Sequence, residues 1–442
     1  MAIRIFIILT LLVHHLWADP SFAQSNDQQD ISWPDEDAWG DDGDNEWATT
    51  QSPWTISYFS EVLVGGFTED ALVANNFSAL ENRWQFSANR YFGHTFFSSK
   101  FELLLDDVSD DNLQVLVREL YIDHNLTDSL SVRAGQQVLT WGTGDFIFLN
   151  DLFPKDWQAM FSGREDSYLK APSASIKLTQ YNALFNTDFV WTPVFAEDEY
   201  VQGERFSYFN PTQATTTDQR LSAHEPSESF DKGEFALRLF KTVNGVEYAL
   251  YGYRGFYKQP MGFDPVRQMN YFPRLSSYGA SVRSAFAGGI VNAEMAYWDS
   301  RDDTQGDNPL VPNSQFQTLL GFEREAIRNL TLAFQWWLQI TDEYSAQKQS
   351  AHQPQYLMDK YHHTVTTRIT YLSGNTKWTY SLFAFYSPSS DDSYLKPKVS
   401  YRRDDHWLLE VGGNLFWGSD EHTQWGQFEE NTNLYTRVRY QF

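Results

Sequence analysis

Eleven ionisable side chains stand in stretches where polar and apolar residues alternate: Glu81, Arg83, Lys100, Glu102, Arg133, Glu234, Arg238, Arg368, Glu410, Arg437 and Arg439. Alternation of period two puts them on one face of strands and sends their apolar neighbours to the other. Two kinds of chemistry are open to such a face. Arginines and carboxylates can neutralise one another across an aqueous lumen, or they can set a local field for a charged solute. Catalysis has no comparable residue set. The chain lacks a Gly-x-Ser-x-Gly elbow, a His-Glu-x-x-His pair, a phosphate-binding glycine loop and any cysteine. His362 and His363 are adjacent, so on a strand they point to opposite faces and do not share a metal. His94 and His124 fall at expected turns. Asp41 to Glu46 offers oxygen ligands but not in EF-hand order. No catalytic residue, metal site or cofactor is expected, and the chain does not read as an enzyme.

The elements that position these residues are strands. In Leu330 to Ile340, the even positions are Leu330, Leu332, Phe334, Trp336, Leu338 and Ile340, while Thr331, Gln335 and Gln339 occupy odd ones. From Asn433 the last strand sets Leu434, Val438, Tyr440 and Phe442 against Arg437, Arg439 and Gln441. Strands of about ten residues with aromatic ends suit a tilted bilayer crossing. Tight turns at Tyr91–His94, Leu126–Ser129, Val243–Val246, Phe286–Gly289 and Ser373–Asn375 alternate with long polar connections. The pattern predicts an all-β fold: a single antiparallel transmembrane β-barrel of about 18 strands, with short periplasmic turns and long extracellular loops. Sixteen strands is the alternative, because Phe146–Leu152 and Asn182–Thr192 can be assigned in two ways.

Composition agrees. Aromatics make up 17% of the chain, with 16 Trp, 24 Tyr and 34 Phe, yet the mean hydropathy is −0.49. A soluble protein would bury so many rings in a large apolar core; a barrel shows them to lipid and keeps a polar lumen. The net charge of −25 argues against nucleic acid. Residues 1–23 read as a secretory signal peptide, with Arg4, an apolar run from Ile5 to Leu12, and Ser21-Phe22-Ala23 before the cut. Residues 24–53 form an acidic leader with nine carboxylates and no Lys or Arg, expected to be disordered in the periplasm. Residues 54–442 form the barrel. Its C-terminal Tyr440 and Phe442 are the expected signal to the barrel-assembly machinery, and outer-membrane lipid and lipopolysaccharide are the expected surroundings. Asp391-Asp392 and Asp404-Asp405 are read as loop and turn acids that meet lipopolysaccharide through divalent cations.

A barrel of this strand number is too wide for side chains alone to fill. The connection from Gly142 to Pro172 holds Phe146, Phe148, Phe153, Trp157, Phe161 and Tyr168, too apolar for a solvated loop. It is expected to constrict the lumen or to cover its rim. The longer connection from Ala196 to Asp231 carries Arg205, Phe206, Tyr208 and Phe209.

Gly135-Gln-Gln-Val-Leu-Thr-Trp-Gly142, Tyr168 to Lys177, Asp188-Phe-Val-Trp-Thr-Pro193 and Gly203 to Asn210 resemble a proteobacterial family of uncharacterised outer-membrane β-barrels, distantly similar to alginate-export porins. The resemblance implies work with inner-membrane exporters of the resistance-nodulation-division (RND) class and with a periplasmic carrier similar to lipoprotein-sorting proteins. It implies transport of a lipid-like or otherwise amphipathic molecule across the outer membrane of a Gram-negative cell. A general or carbohydrate-selective diffusion porin and a non-transporting scaffold remain the competing readings.

Overall fold

The computed structural model describes residues 53–227 and 232–442; the signal peptide and the acidic leader, apart from Pro53, lie outside the described residues. Eighteen strands form one sheet. They are β1 (Thr55–Phe67), β2 (Phe77–Phe92), β3 (Thr95–Asp106), β4 (Leu113–Thr127), β5 (Leu130–Val138) and β6 (Pro172–Gln180). Next come β7 (Asn186–Thr192), β8 (Glu234–Val243), β9 (Val246–Phe256), β10 (Arg274–Phe286), β11 (Gly289–Ser300) and β12 (Gln315–Ile327). The last are β13 (Leu330–Thr341), β14 (Tyr361–Ser373), β15 (Trp378–Ser387), β16 (Asp392–Arg402), β17 (Trp407–Gly418) and β18 (Asn433–Gln441). Each pairs antiparallel with the next, and β18 returns to β1 with Gln441 opposite Phe59 and Asn433 opposite Phe67. The sheet is therefore a closed barrel with no free edge. Phe442 completes the seam through backbone bonds in both directions with Tyr58, at 2.9 and 3.0 Å. Phe146–Leu152 forms no strand, whereas Asn186–Thr192 does, and this fixes the count at eighteen.

The burial is that of a soluble protein turned inside out. Along β13, Phe334 is 49% exposed while its neighbour Gln335 is 6% exposed. Such a surface suits hydrocarbon, because only there is an exposed ring favourable and an outward charge costly. Aromatic side chains mark both ends of this belt: Tyr91, Trp378, Tyr401 and Tyr440 near the tight turns, Tyr297, Phe316, Tyr361 and Tyr386 near the long loops. No helix among the described residues is long and apolar enough to cross a membrane. Tight and long connections alternate round the barrel, with one exception at residues 388–391, which join β15 to β16 on the long-loop side in only four residues. Of the two acidic pairs read as loop and turn acids, only Asp392 departs from that reading. Asp391 lies at the long-loop end and Asp404 at the tight-turn end, while Asp392 opens β16 and is only 1% exposed. His124 is also not a turn residue; it sits in β4 and shares a hydrogen bond of 2.8 Å with Thr95 Oγ1.

Candidate functional site

Between β5 and β6 the chain does not run over the rim. Residues 139–171 make side-chain contacts with β2, β3 and β4 on one side and with β11, β13, β14, β16, β17 and β18 on the others. One segment reaches strands all round a closed barrel only by passing through its interior. It carries one short α-helix, α1 (Trp157–Ser162), which starts where the Asp156 side chain accepts from the amide of Ala159 at 2.7 Å and stops at Gly163. Gly163 has φ 89°, and a Cβ there would lie 2.3 Å from the ring of Tyr435, so both conformation and space demand glycine.

The segment is seated by two kinds of contact. Its entry is fixed by Glu294 on β11, whose carboxylate accepts from Thr143 N (2.6 Å), Thr143 Oγ1 (2.9 Å), Asn150 N (3.1 Å) and Asn150 Nδ2 (2.9 Å). Its exit is fixed by charge. Arg164 donates to Glu81 at 2.8 Å and reaches Asp106 and Asp156 at 3.4 and 3.3 Å. Glu165 pairs with Arg439 at 2.6 Å, and Asp166 receives Lys396 and Lys398 at 2.7 and 3.0 Å. The Tyr168 hydroxyl donates to Glu102 at 2.8 Å, and the guanidinium groups of Arg83 and Arg118 each lie 4.4 Å from its ring centroid. Between these anchors lies packing. Phe161 meets Phe416 at 5.2 Å and Tyr394 at 5.7 Å, edge to face, and Phe146 meets Phe383 at 4.6 Å.

The eleven ionisable side chains divide into two groups. Glu81, Arg83, Glu102, Glu234, Glu410, Arg437 and Arg439 are buried. Register places Glu410 opposite Arg437, and Arg439 opposite Glu61, which itself faces Arg83. Signs therefore alternate across β17, β18, β1 and β2. Arg437 contacts Glu410 at 2.8 Å, Arg439 contacts Glu61 at 2.7 Å, Arg83 pairs with Glu102, and Glu234 pairs with Lys258 at 2.6 Å. Lys100, Arg133, Arg238 and Arg368 are only partly buried and pair with Glu119, Asp123, Glu247 and Glu323. Every one of the eleven has an opposite charge beside it.

On the long-loop side of the segment a cavity of about 1140 Å³ opens, floored by Phe146, Phe148, Trp157 and Phe161. Gln317, Gln339 and His362 line the wall on three successive strands, one opposite the next in register. Phe153 is buried against Trp141 at 4.9 Å, and Trp157 Nε1 donates to Asp198 at 2.8 Å. The connection after β7 closes another side: Arg205 pairs with Asp106, and Phe206 packs edge-on to Phe161 at 6.1 Å. Among the described residues no group of acids and histidines is placed to hold a metal ion.

The model of a family described as "Protein of unknown function (DUF1302)" matches residues 62–442. The chain belongs to this family. The barrel is similar in structure to Pseudomonas aeruginosa OccD3 (OpdP), at 8% identity and a TM-score of 0.51, over 88% of this chain and 90% of that one. It is also similar to a triple mutant of the Rhodopseudomonas blastica porin, at 9% identity and a TM-score of 0.41, over 88% and 100% of the two chains. A loop-deleted OmpT, an outer membrane protein of Vibrio cholerae, gives 12% identity and 0.41 over 88% and 100%. At these identities the likeness is one of fold. No curated protein matches the sequence.

Several residues that organise this DUF1302 barrel carry no signal that sequence reading used. Glu294, Glu61 and Asp106 stand on inward positions of their strands, and alternation alone would have marked them. Arg164 and Glu165 lie in irregular chain and Asp166 opens a single 3-10 turn, Asp166–Leu169, where no period assigns a direction.

Proposed function

We propose that the chain is a non-enzymatic transport barrel of the Gram-negative outer membrane, exported by its signal peptide, that passes an amphipathic solute through the vestibule above the inward segment. The carrying observation is that vestibule: about 1140 Å³ of space within a barrel, floored by aromatic rings and walled by glutamine and histidine. A floor of rings takes up an apolar body, and a few placed polar groups orient its head. Phe146, Phe148, Phe153, Trp157, Phe161 and Tyr168 form the constriction in this reading, and the eleven paired charges line the lumen and hold it open or shut. A periplasmic carrier and an inner-membrane RND exporter deliver or receive the solute at the tight-turn end. Tyr440 and Phe442, at the closing seam, are the strand end read by the assembly machinery.

The refolded barrel in a planar bilayer is expected to show small or no current steps in simple salt. It is also expected to bind hexyl glucoside, with a saturable change in tryptophan fluorescence from Trp157 and its neighbours. Large steady open steps that ignore the glucoside would make it a diffusion porin instead. A silent barrel that binds no amphiphile would leave a scaffold.

A further inference from the structure

The vestibule has an electrical sign. Asp359, Asp391 and Asp420 line it and are exposed, one on each of the connections 342–360, 388–391 and 419–432. These three connections follow one another along one arc of the rim. Ser419 ties two of them, its amide donating to the Asp391 carbonyl at 3.3 Å and its hydroxyl to the Asp391 carboxylate at 2.9 Å. Among the described residues none of the three acids forms an ion pair with lysine or arginine. Lys360, next to Asp359, sets its ammonium over the ring of Tyr361 at 5.5 Å. Deeper in, Lys155 and Lys258 also line the cavity, but each already has a carboxylate. Lys155 donates to Asp151 at 3.0 Å, and Lys258 donates to Glu234 at 2.6 and 2.7 Å. Asp198, buried beside them, also lines the cavity and accepts from Trp157 Nε1.

An excess of acid alone defines no ligand. The wall supplies a second and independent observation. Gln339 and His362 face each other in register on β13 and β14, are 8% and 3% exposed, and both line the cavity. Gln339 Oε1 and His362 Nδ1 have no hydrogen-bond partner. His362 Nε2 meets the hydroxyls of Ser387 and Ser390 at 3.0 and 3.3 Å; donating there leaves Nδ1 as an acceptor. Two acceptors without donors, on side chains opposite each other in register, mark a place that an N–H group completes. Aromatic faces at the rim favour the same charge: Tyr356 stands 5.2 Å from His422 and, edge to face, 5.2 Å from Phe209.

We infer that the vestibule selects solutes carrying an N–H cation, an ammonium or guanidinium, on an apolar body. This rests on the transport reading above and names its substrate class. The rim acids draw the cation in through a cleft whose low-dielectric walls concentrate the field. The body settles on Phe146, Phe148 and Trp157, and the N–H groups meet Gln339 Oε1 and His362 Nδ1. Because the rim acids are exposed, salt weakens the selection.

The test uses the full barrel in zwitterionic nanodiscs, with empty nanodiscs as blank, and four probes built on a six-carbon chain: hexylammonium, hexyltrimethylammonium, hexanoate and hexyl glucoside. At low salt, hexylammonium is expected to bind at least about tenfold more tightly than hexanoate, a preference that shrinks at high salt. Asp359→Asn, Asp391→Asn and Asp420→Asn together are expected to bring the two within about twofold, with folding checked by heat-modified gel mobility. Gln339→Leu is expected to erase the advantage of hexylammonium over hexyltrimethylammonium and to leave the preference over hexanoate. Glucoside binding with hexanoate equal to or tighter than hexylammonium overturns the inference and leaves the transport reading standing. No binding of any probe, the glucoside included, overturns both. A triple variant that keeps the full preference removes the rim acids from the explanation, and Gln339→Leu with the hexylammonium advantage intact removes the acceptor pair.

Discussion

The inward segment meets the barrel through two faces of different chemistry. Towards β2, β3 and β18 it presents Arg164, Glu165 and Tyr168 to buried carboxylates and guanidinium groups. Towards β15, β16 and β17 it presents Phe146 and Phe161 to Phe383, Tyr394 and Phe416. The charged face is directional. Arg83, Arg118, Arg164 and Arg205 interlock with Glu81, Glu102, Asp106 and Asp156, four charges of each sign, and one seating of the segment satisfies them. The aromatic face is tolerant: rings slide and repack where hydrogen-bonded charges do not. The ion pairs therefore fix where the segment sits, and the rings fill the space it leaves. Paired charges such as these add less to stability than to position, since their desolvation offsets most of their attraction.

The charged face breaks hardest. Arg164→Met leaves Glu81, Asp106 and Asp156 with one cation fewer in a buried cluster, at a cost of about 3–5 kcal/mol. The expected result is release of the segment from the barrel wall, read as new protease cuts within residues 139–171 and as larger single-channel steps. Arg164→Lys keeps the charge but loses the fork that grips Glu81, so its effect falls between the variant and the parent. On the aromatic face, Phe161→Ala removes a buried ring at a cost of about 3 kcal/mol, the low end for such a truncation. The cost is low because Phe161 borders the vestibule, so the space it vacates joins an open cavity rather than a sealed void. Urea unfolding from lipid vesicles should shift to a lower midpoint, while the single-channel steps grow less than in Arg164→Met because the segment stays seated. Equal opening of the pore by both variants would show that the two faces share one role.

What the residue order reveals about this arrangement has a clear boundary. Period-two alternation in Leu330–Ile340 and Asn433–Phe442 belongs to single strands, and the alternation of turn and loop belongs to the chain in order, so strand number and closure are legible. The partners of Glu81 are not. Arg164 and Arg205 reach it from irregular chain 83 and 124 residues away, and no local pattern marks them as its ligands. Glu294 is similar: it sits between Ala293 and Met295 like any inward residue, and only the fold shows that it holds Thr143 and Asn150. The vestibule is harder still to read, because its rim comes from separate connections that meet only when the barrel closes. Asp391 and Asp404 illustrate the point. Both are acids beside a short break in alternation, yet one lies at each end of the barrel, because the connection at 388–391 is short on the side where the others are long.

The smallest effect tests the clasp on the far side of the segment. Backbone bonds join Glu199 N to Lys155 O at 2.8 Å and Trp157 N to Glu199 O at 3.0 Å, so the connection after β7 holds the segment just where α1 begins. Burial pushes the Glu197 carboxyl up, and Glu225, Glu199 and Asp198 push it further, to about 7. A carboxyl raised in the folded state stabilises that state by holding its proton. Its contribution is complete below the ordinary value of 4.5 and is lost as pH rises through about 7. The group is partly exposed, so solvent screening keeps the effect small. Between pH 5 and 8 the amides of Asp198 and Glu199 should lose protection from hydrogen exchange by a few-fold beyond the intrinsic change. Glu197→Gln, which carries no charge at either pH, should show a flat profile and leave the Arg164 cluster untouched. A variant as pH-sensitive as the parent would move the titration to Glu199 or Asp198. Loss of protection that spread to the amides of Arg164 and Glu165 would mean that the clasp and the charged face act as one unit.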